Sequence, residues 1–396
     1  MIKRTIVSMP GDGIGRVVLD ETRRVLDVAG FKAEYIEADI GWEFWKKEGN
    51  PLPQRTIDLL EKHKIGLFGA ITSKPKDAAA EELDKSLRDK GFIYSSPIVG
   101  LRQHFNLDVC IRPCRTYKGN PLNFIRRGAN DTIEEPVIDA VIFRQNTEGL
   151  YGGVEWSDPP RQVYDALMTH PKFEKNFGKV KKENISVSTR IFTHHATERI
   201  LRAAFEYAVK YNYKSVTVCE KPNVIRETSG MMYKMAKDIQ QRDFPDIELW
   251  NTNIDAQMMW LTKNPEDYGV IVAGNMFGDI VSDGFAGLIG GLGFACSANI
   301  GDEVAVFEPT HGSAPKYADY KTSIVNPIAM IESACLMLDH IDEHQVAQKI
   351  RHAIAEVISE GKVRTYDMMK LPGRENVIDH GAASTRQMAD AIIEKL

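Results

Sequence analysis

The sequence predicts an α/β fold with a central, largely parallel sheet. Three observations carry that prediction. Short β-type runs alternate with helical patterns from the first residues onward. Polar motifs follow directly on the ends of the apolar runs, where open α/β sheets bind their ligands. The 396 residues are 43% hydrophobic and 27% charged, an ordinary globular mixture with apolar material for large cores.

Taken in order, Thr5-Ile6-Val7-Ser8-Met9 reads as a strand, followed by a glycine turn and a helix from Val17 to Ala29. Ala33-Glu34-Tyr35-Ile36 is the next strand, Thr56 to Glu61 a helix, and Ile65 to Ala70 a further strand. In the middle of the chain Ala140 to Arg144, Ser215 to Cys219 and Tyr268 to Ala273 read as strands that end in polar motifs. Glu155 to Lys182 is rich in proline, lysine and aromatics with weak periodicity. It reads as an insertion, an arm suited to contact another subunit. Glu198 to Val209 is an amphipathic helix.

Composition narrows the functional classes. A net charge of -5 gives no basic surface for nucleic acid, so an anionic substrate must be met by a local group of Arg or Lys. Cys110, Cys114, Cys219, Cys296 and Cys335 are scattered and form no CxxC pair. That argues against a disulfide framework or zinc site and predicts a reducing cytoplasm. The start, Met1 to Val7, has no apolar h-region or cleavage site. Ala286 to Ala295 is glycine-rich and too short to span a membrane, and no membrane partner is expected.

Four motifs carry chemistry. Gly11-Asp12-Gly13-Ile14-Gly15 sits between strand and helix like a dinucleotide fingerprint, but Arg16 stands where G-x-G-x-x-G needs its last glycine. A tight turn is the stronger reading. Arg102, Arg112 and Arg144 form the second. Singly each reads as a solvated surface residue. Two lie inside apolar segments, where an unpaired charge is costly, and three guanidiniums together suit a di- or tricarboxylate. The third is Asp279 and Asp283, four apart and so on one helix face. Such a pair either holds a hard cation such as magnesium or manganese or is simply two exposed acids, and Asp255 is a possible third ligand. The fourth, Glu308 to Tyr317, is a small polar run that could cradle phosphates or an adenosine, or be a plain surface loop.

Together these segments resemble the β-decarboxylating dehydrogenases, the isocitrate, isopropylmalate and homoisocitrate enzymes, over nearly the whole chain. The most specific pieces are Arg144 to Tyr151, Asn275 to Asp283, Gly290-Gly291-Leu292-Gly293 with Ala298 to Gly301, and His311-Gly312-Ser313-Ala314-Pro315. The resemblance implies the two-domain fold of that family rather than a Rossmann fold. Residues 1–107 and 290–396 would form a large cofactor domain, 108–148 and 184–289 a small dimer-forming domain, and 149–183 a clasp. It implies Arg102, Arg112, Arg144 and Ser96 as substrate contacts, Tyr151 and Lys221 as the proton-transfer pair, and Asp255, Asp279 and Asp283 as metal carboxylates. Sites would be shared across a homodimer, with Lys221 and Asp255 serving the partner. The dinucleotide would lie against Thr72, the His311, Gly312, Ser313 and Ala314 loop, and Asn326. Gln145, Pro222 and the stretch Asp319 to Ser323 depart from the family pattern; the last lengthens the loop before Asn326.

NAD-linked members carry Asp after the Ala-Pro. This chain has Lys316 and Tyr317 there, with Tyr366 and Lys370 downstream, as similar NADP enzymes have cations and tyrosines, so the resemblance implies NADP. Ser96 and the run Gly153 to Trp156 resemble isocitrate enzymes. Ile98 and Val99 instead fall where isopropylmalate enzymes receive an alkyl group, and homoisocitrate is intermediate. Isocitrate is the favoured substrate. The family also includes non-catalytic regulatory subunits that lose catalytic groups, whereas here the tyrosine, lysine, arginines and aspartates are all present.

Overall fold

The computed structural model describes residues 4–396. Its centre is a ten-stranded sheet. In chain order the strands are β1 (Arg4–Gly11), β2 (Ala33–Glu37), β3 (Ile65–Ala70), β4 (Val109–Arg115), β5 (Asp139–Gln145), β6 (Ser215–Glu220), β7 (Glu248–Asn253), β8 (Val270–Ala273), β9 (Cys296–Ile300) and β10 (Ala305–Pro309). Their spatial order is β7-β6-β8-β5-β4-β9-β10-β3-β1-β2. Every pairing is parallel except β5–β4, β4–β9 and β9–β10. The sheet is thus two parallel groups of opposite direction, joined through antiparallel neighbours at β4 and β9. The expected α/β class, with a mostly parallel sheet, is what the chain adopts.

The helices that matter for the site are α1 (Gly15–Ala29), α2 (Pro97–His104), α3 (His194–Lys210), α4 (Ile254–Leu261), α5 (Asn275–Leu288), α6 (Ile328–His340) and α7 (His344–Glu360). In α1, Val18, Leu19, Thr22, Val25, Leu26 and Ala29 are buried. This is the spacing of a helix that lays one stripe on the sheet. The helix expected over Glu198 to Val209 is α3. It buries Ile200, Leu201, Ala204, Phe205 and Ala208 against Phe143, Val216 and Val270.

The insertion forms a unit of its own. Glu155–Ser157 pairs antiparallel with Ser186–Ser188, and two short helices, Arg161–Met168 and Pro171–Phe177, lie between them. Neither short helix has a fully buried residue. Among the described residues no helix is long and apolar enough to cross a membrane.

The strand repeat of two decides which face of the sheet carries the chemistry. Ile111, Pro113 and Phe143 line a cleft of about 1430 Å³ between α3 and the pair α6 and α7. Arg112 and Arg144, one residue out of phase, point to the opposite face, where both reach α5. That cleft and the pair Arg112 and Arg144 therefore lie on opposite sides of the sheet.

Candidate active site

α5 follows β8 directly and brings Asp279 beneath the end of β5. Gly278 makes this approach possible, since a Cβ there would lie 2.8 Å from the Arg144 Cβ. Arg144, at the end of β5, forks onto Asn275 Oδ1 through Nε (3.0 Å) and Nη2 (2.8 Å), and its Nη1 pairs with Asp279. Arg112 reaches the same carboxylate at 3.0 Å, Ser282 Oγ at 2.8 Å and Asp283 at 3.5 Å. The Tyr151 hydroxyl donates to Asp279 Oδ2 at 3.0 Å, and the Arg144 guanidinium lies 5.3 Å from the centre of its ring. Arg112, Arg144, Tyr151, Asp279 and Asp283 thus form one cluster, as the sequence suggested.

Burial pushes the Asp279 carboxyl up, but Arg144, Arg112 and the Tyr151 hydroxyl outweigh it and hold the pKa below the usual carboxylate value. Asp283 is pushed up, by burial and then by Asp279, against the pull of Arg112. Tyr151 is raised by burial and by the Asp279 charge. Burial lowers Arg144 to about 10, with Arg112 adding repulsion. The Arg112 Nε is buried with no partner, so the cluster keeps an unused donor for an anionic ligand.

Arg102 approaches from α2. Its Nη2 pairs with Glu308 at 2.8 Å and its Nε with Asn299 at 3.2 Å, while Asn146 bonds Asn299 at 2.8 Å. It does not share Asp279 with the other two arginines, though its charge contributes to lowering Arg144. Ser96 precedes α2 and makes no capping hydrogen bond, so its hydroxyl remains available. Ile98 is buried and packs with Phe68 and Leu101, and Val99 is half-buried.

Lys221 and Asp255 meet each other, in an ion pair between the ends of β6 and β7. That bond holds the Asp255 carboxyl below its ordinary value. No hydrogen bond or ion pair joins this pair to Asp279 or Tyr151 among the described residues. Likewise, among the described residues no set of three metal-ligating side chains converges. The donor chemistry still fits a hard divalent cation. Asp279 and Asp283 share the neighbourhood of Arg112, and Asp255 is an exposed carboxylate on α4 paired with Lys221.

The loop residues gather at the C-terminal ends of the other parallel group. Thr72 Oγ1 and Ser313 Oγ are 2.6 Å apart, and Ser313 N–H donates to Ile71 O at 3.1 Å. His311 holds Gly312 O through Nδ1 at 3.0 Å, which leaves Nε2 as a buried acceptor without a partner. Burial lowers its pKa, favouring the neutral ring. Ala314 takes φ 40°, unusual for a residue with a side chain, at the turn into Pro315–Ala318. Tyr317 and Tyr366 lie 5.7 Å apart, and the Lys316 ammonium lies 5.3 Å from the centre of the Tyr317 ring. Asn326 is held between Asp367 and the start of α6. Lys370 is exposed on the loop after Tyr366. The glycine turn packs behind this loop: Gly13 has φ +55°, and a Cβ there would lie 2.1 Å from Ser313 O.

Sequence reasoning missed Asn275, Ser282, Asn299, Asn146 and the pairing role of Glu308. Asn275 opens the run to Asp283 and Glu308 opens the small polar run to Tyr317, but only the fold reveals which arginine each one holds.

Fold and site define an α/β protein with a buried group of arginines and carboxylates gathered at strand ends. The isocitrate/isopropylmalate dehydrogenase family model matches residues 5–392. The protein DlpA of Legionella pneumophila is 37% identical over 98% of this chain, which spans only 58% of that longer protein. The homoisocitrate dehydrogenase of Methanocaldococcus jannaschii is 38% identical over 89% of this chain and 90% of its own. The crystal structure of isocitrate dehydrogenase from Methylococcus capsulatus superposes with a TM-score of 0.79 at 34% identity, covering 99% of both chains. The chain belongs to the isocitrate/isopropylmalate dehydrogenase family. It is accordingly an oxidoreductase of the decarboxylating type, in a family that uses NAD(P) and a divalent metal.

Proposed function

We propose that this chain catalyses the NADP-dependent oxidative decarboxylation of isocitrate to 2-oxoglutarate and carbon dioxide. The observation that carries the reading is the buried cluster of Arg112 and Arg144 around Asp279, with Tyr151 on the same carboxylate and Arg102 nearby. Three guanidiniums suit a tricarboxylate, and the unpartnered Arg112 Nε is a donor in reserve for it. Ser96, with no capping hydrogen bond at the start of α2, offers a hydroxyl to a substrate with a polar arm. Homoisocitrate, one methylene longer, is the second reading, supported by half-buried Val99 on the same helix.

Asp279, Asp283 and the partner's Asp255 would hold the divalent cation. Bound there, the cation supplies Lewis-acid polarisation of the substrate's C2 oxygen. The arginines hold the carboxylates and fix the C2 hydrogen toward the nicotinamide. Lys221, from the second subunit of a homodimer, takes the hydroxyl proton. NADP⁺, held against the Thr72 and His311 loops, would supply the hydride acceptor for oxidation of C2 to a carbonyl. The β-carboxylate then departs as carbon dioxide and its bonding electrons remain on the substrate. Tyr151, kept protonated by its raised pKa, returns a proton to C3. Lys316, Tyr317, Tyr366 and Lys370 would receive the 2′-phosphate.

The test is direct. Purified chain given isocitrate, NADP and magnesium or manganese should form NADPH, 2-oxoglutarate and carbon dioxide in equal amounts, and excess EDTA should abolish this. Product formation that persists in EDTA, or none at all with the full mixture, contradicts the reading.

A further inference from the structure

We propose that Asp12, in the glycine turn after β1, is a positioning residue for the dinucleotide site, holding the Thr72 and His311 loops in register from behind. The proposal rests on the reading that the dinucleotide lies against those loops. Asp12 Oδ2 accepts the Thr72 N–H at 2.8 Å, and Oδ1 accepts the Trp42 N–H at 2.7 Å. One carboxylate thus fixes the backbone of Thr72, whose hydroxyl then meets Ser313 at 2.6 Å. The same turn grips the His311 loop a second time, because Ile14 N–H donates to Ser313 O at 2.9 Å. Tyr94 completes the bracket by donating to Thr72 O at 2.7 Å.

The alternative role for such a turn, a phosphate cradle, fails on its own hydrogen bonds. A cradle needs free N–H groups. Here Asp12 N–H donates to Ala70 O, Ile14 N–H to Ser313 O and Gly15 N–H to Asp12 O, each at 2.9 Å. The turn also carries a carboxylate, which repels phosphate. The motif therefore serves the dinucleotide indirectly, by setting the spacing of two loops that present Thr72, His311 and Ser313. A carboxylate is the side chain that does this, because its two acceptor oxygens satisfy two backbone N–H groups at once. Asparagine offers one acceptor oxygen and turns an NH2 group toward the other N–H.

The experiment uses the full-length protein. Asp12→Asn is compared with wild type by thermal melting, by calorimetric Kd for NADP without hydroxy acid, and by separate KM values for NADP and hydroxy acid. Loss of a hydrogen bond to a charged group predicts a rise of about 10-fold or more in Kd and KM for NADP. The KM for the hydroxy acid should change less than about 2-fold, because the arginine cluster is held by other residues. Ser313→Ala combined with Asp12→Asn should cost less than the sum of the two, since both act on one bracket. Should Asp12→Asn not fold, Asp12→Glu keeps the charge and displaces it by a methylene, and the same selective rise is expected. An unchanged NADP Kd in a folded variant overturns the proposal, as does an equal rise in both KM values. His311→Ala separates the two claims. If it weakens NADP while the Asp12 variants do not, the positioning role fails and the site stands; if it too has no effect, the placement of the dinucleotide is itself wrong.

Discussion

At the scale of single residues the cluster assigns different work to groups that look alike. Asp279, between two arginines, is held below the usual carboxylate value, while burial and the Asp279 charge push Asp283 on the same helix face the other way. Tyr151 is raised and stays a phenol through neutral pH. Since its proton is needed only after carbon dioxide leaves, Tyr151→Phe should depress the overall reaction far more than reduction of the 2-keto intermediate. Measuring both partial reactions checks this, and equal losses would assign Tyr151 to substrate positioning. Cofactor choice is a residue-scale matter too. Lys316→Asp with Tyr317→Ile adds repulsion toward a 2′-phosphate and offers ribose hydroxyls an acceptor. The ratio of kcat/KM for NADP over NAD should fall by ~100-fold or more, from losing charge-assisted bonds of ~1.5–3 kcal/mol each. The KM for the hydroxy acid should stay nearly constant. A double mutant that still favours NADP would place the 2′-phosphate elsewhere.

At the scale of elements, burial decided what the sequence could reveal. α1 and α3 were legible because each lays one periodic apolar stripe on the sheet. Arg161–Met168 and Pro171–Phe177 were not, because each is only two turns long: the stripe of Val163, Tyr164, Leu167 and Met168 is too short to stand out beside the prolines that bound it. The antiparallel junction of β4 with β5 and β9 was also hidden, since nothing local encodes a pairing such as Ala298 with Ile111. Asp108 sits at that junction, just before β4. It is 1% exposed and faces Arg199 of α3 at 2.9 Å. Burial pushes its pKa up to about 6, against the pull of Arg199. The folded chain therefore binds this proton more tightly than the unfolded chain, whose Asp titrates near ~3.9. Stability from this group is present below pH ~4 and is lost as pH rises to about 6, by roughly 2–3 kcal/mol. Asp108→Asn should flatten that part of the stability-versus-pH curve in urea unfolding. An unchanged slope would assign the titration to another group.

At the scale of the whole molecule the site is divided. Arg112, Arg144, Tyr151, Asp279 and Asp283 come together within one chain, whereas Lys221 and Asp255 pair apart from them. The motifs made the residue types legible. Within one chain their grouping holds for the half that β5 and α5 bring together, and under the proposed function the other half serves the site of a second subunit. Lys221→Met and Arg112→Ala, each inactive alone, should regain activity when the chains are unfolded together and refolded. A mixed dimer holds one site free of both defects, so about a quarter of wild-type activity is expected from random pairing. No recovery in proven mixed dimers would put Lys221 in the same site as its own chain's arginines.

The central claim, that this member of the family oxidises isocitrate, is tested most directly by kcat/KM for isocitrate, homoisocitrate and 3-isopropylmalate. All three are measured with NADP and one saturating divalent cation. A methylene is worth ~1–3 kcal/mol in such a pocket, so isocitrate should lead homoisocitrate by about 10-fold or more. It should lead 3-isopropylmalate by more again, since that substrate leaves one arginine without a carboxylate. A higher kcat/KM for either of the other two acids would contradict the account.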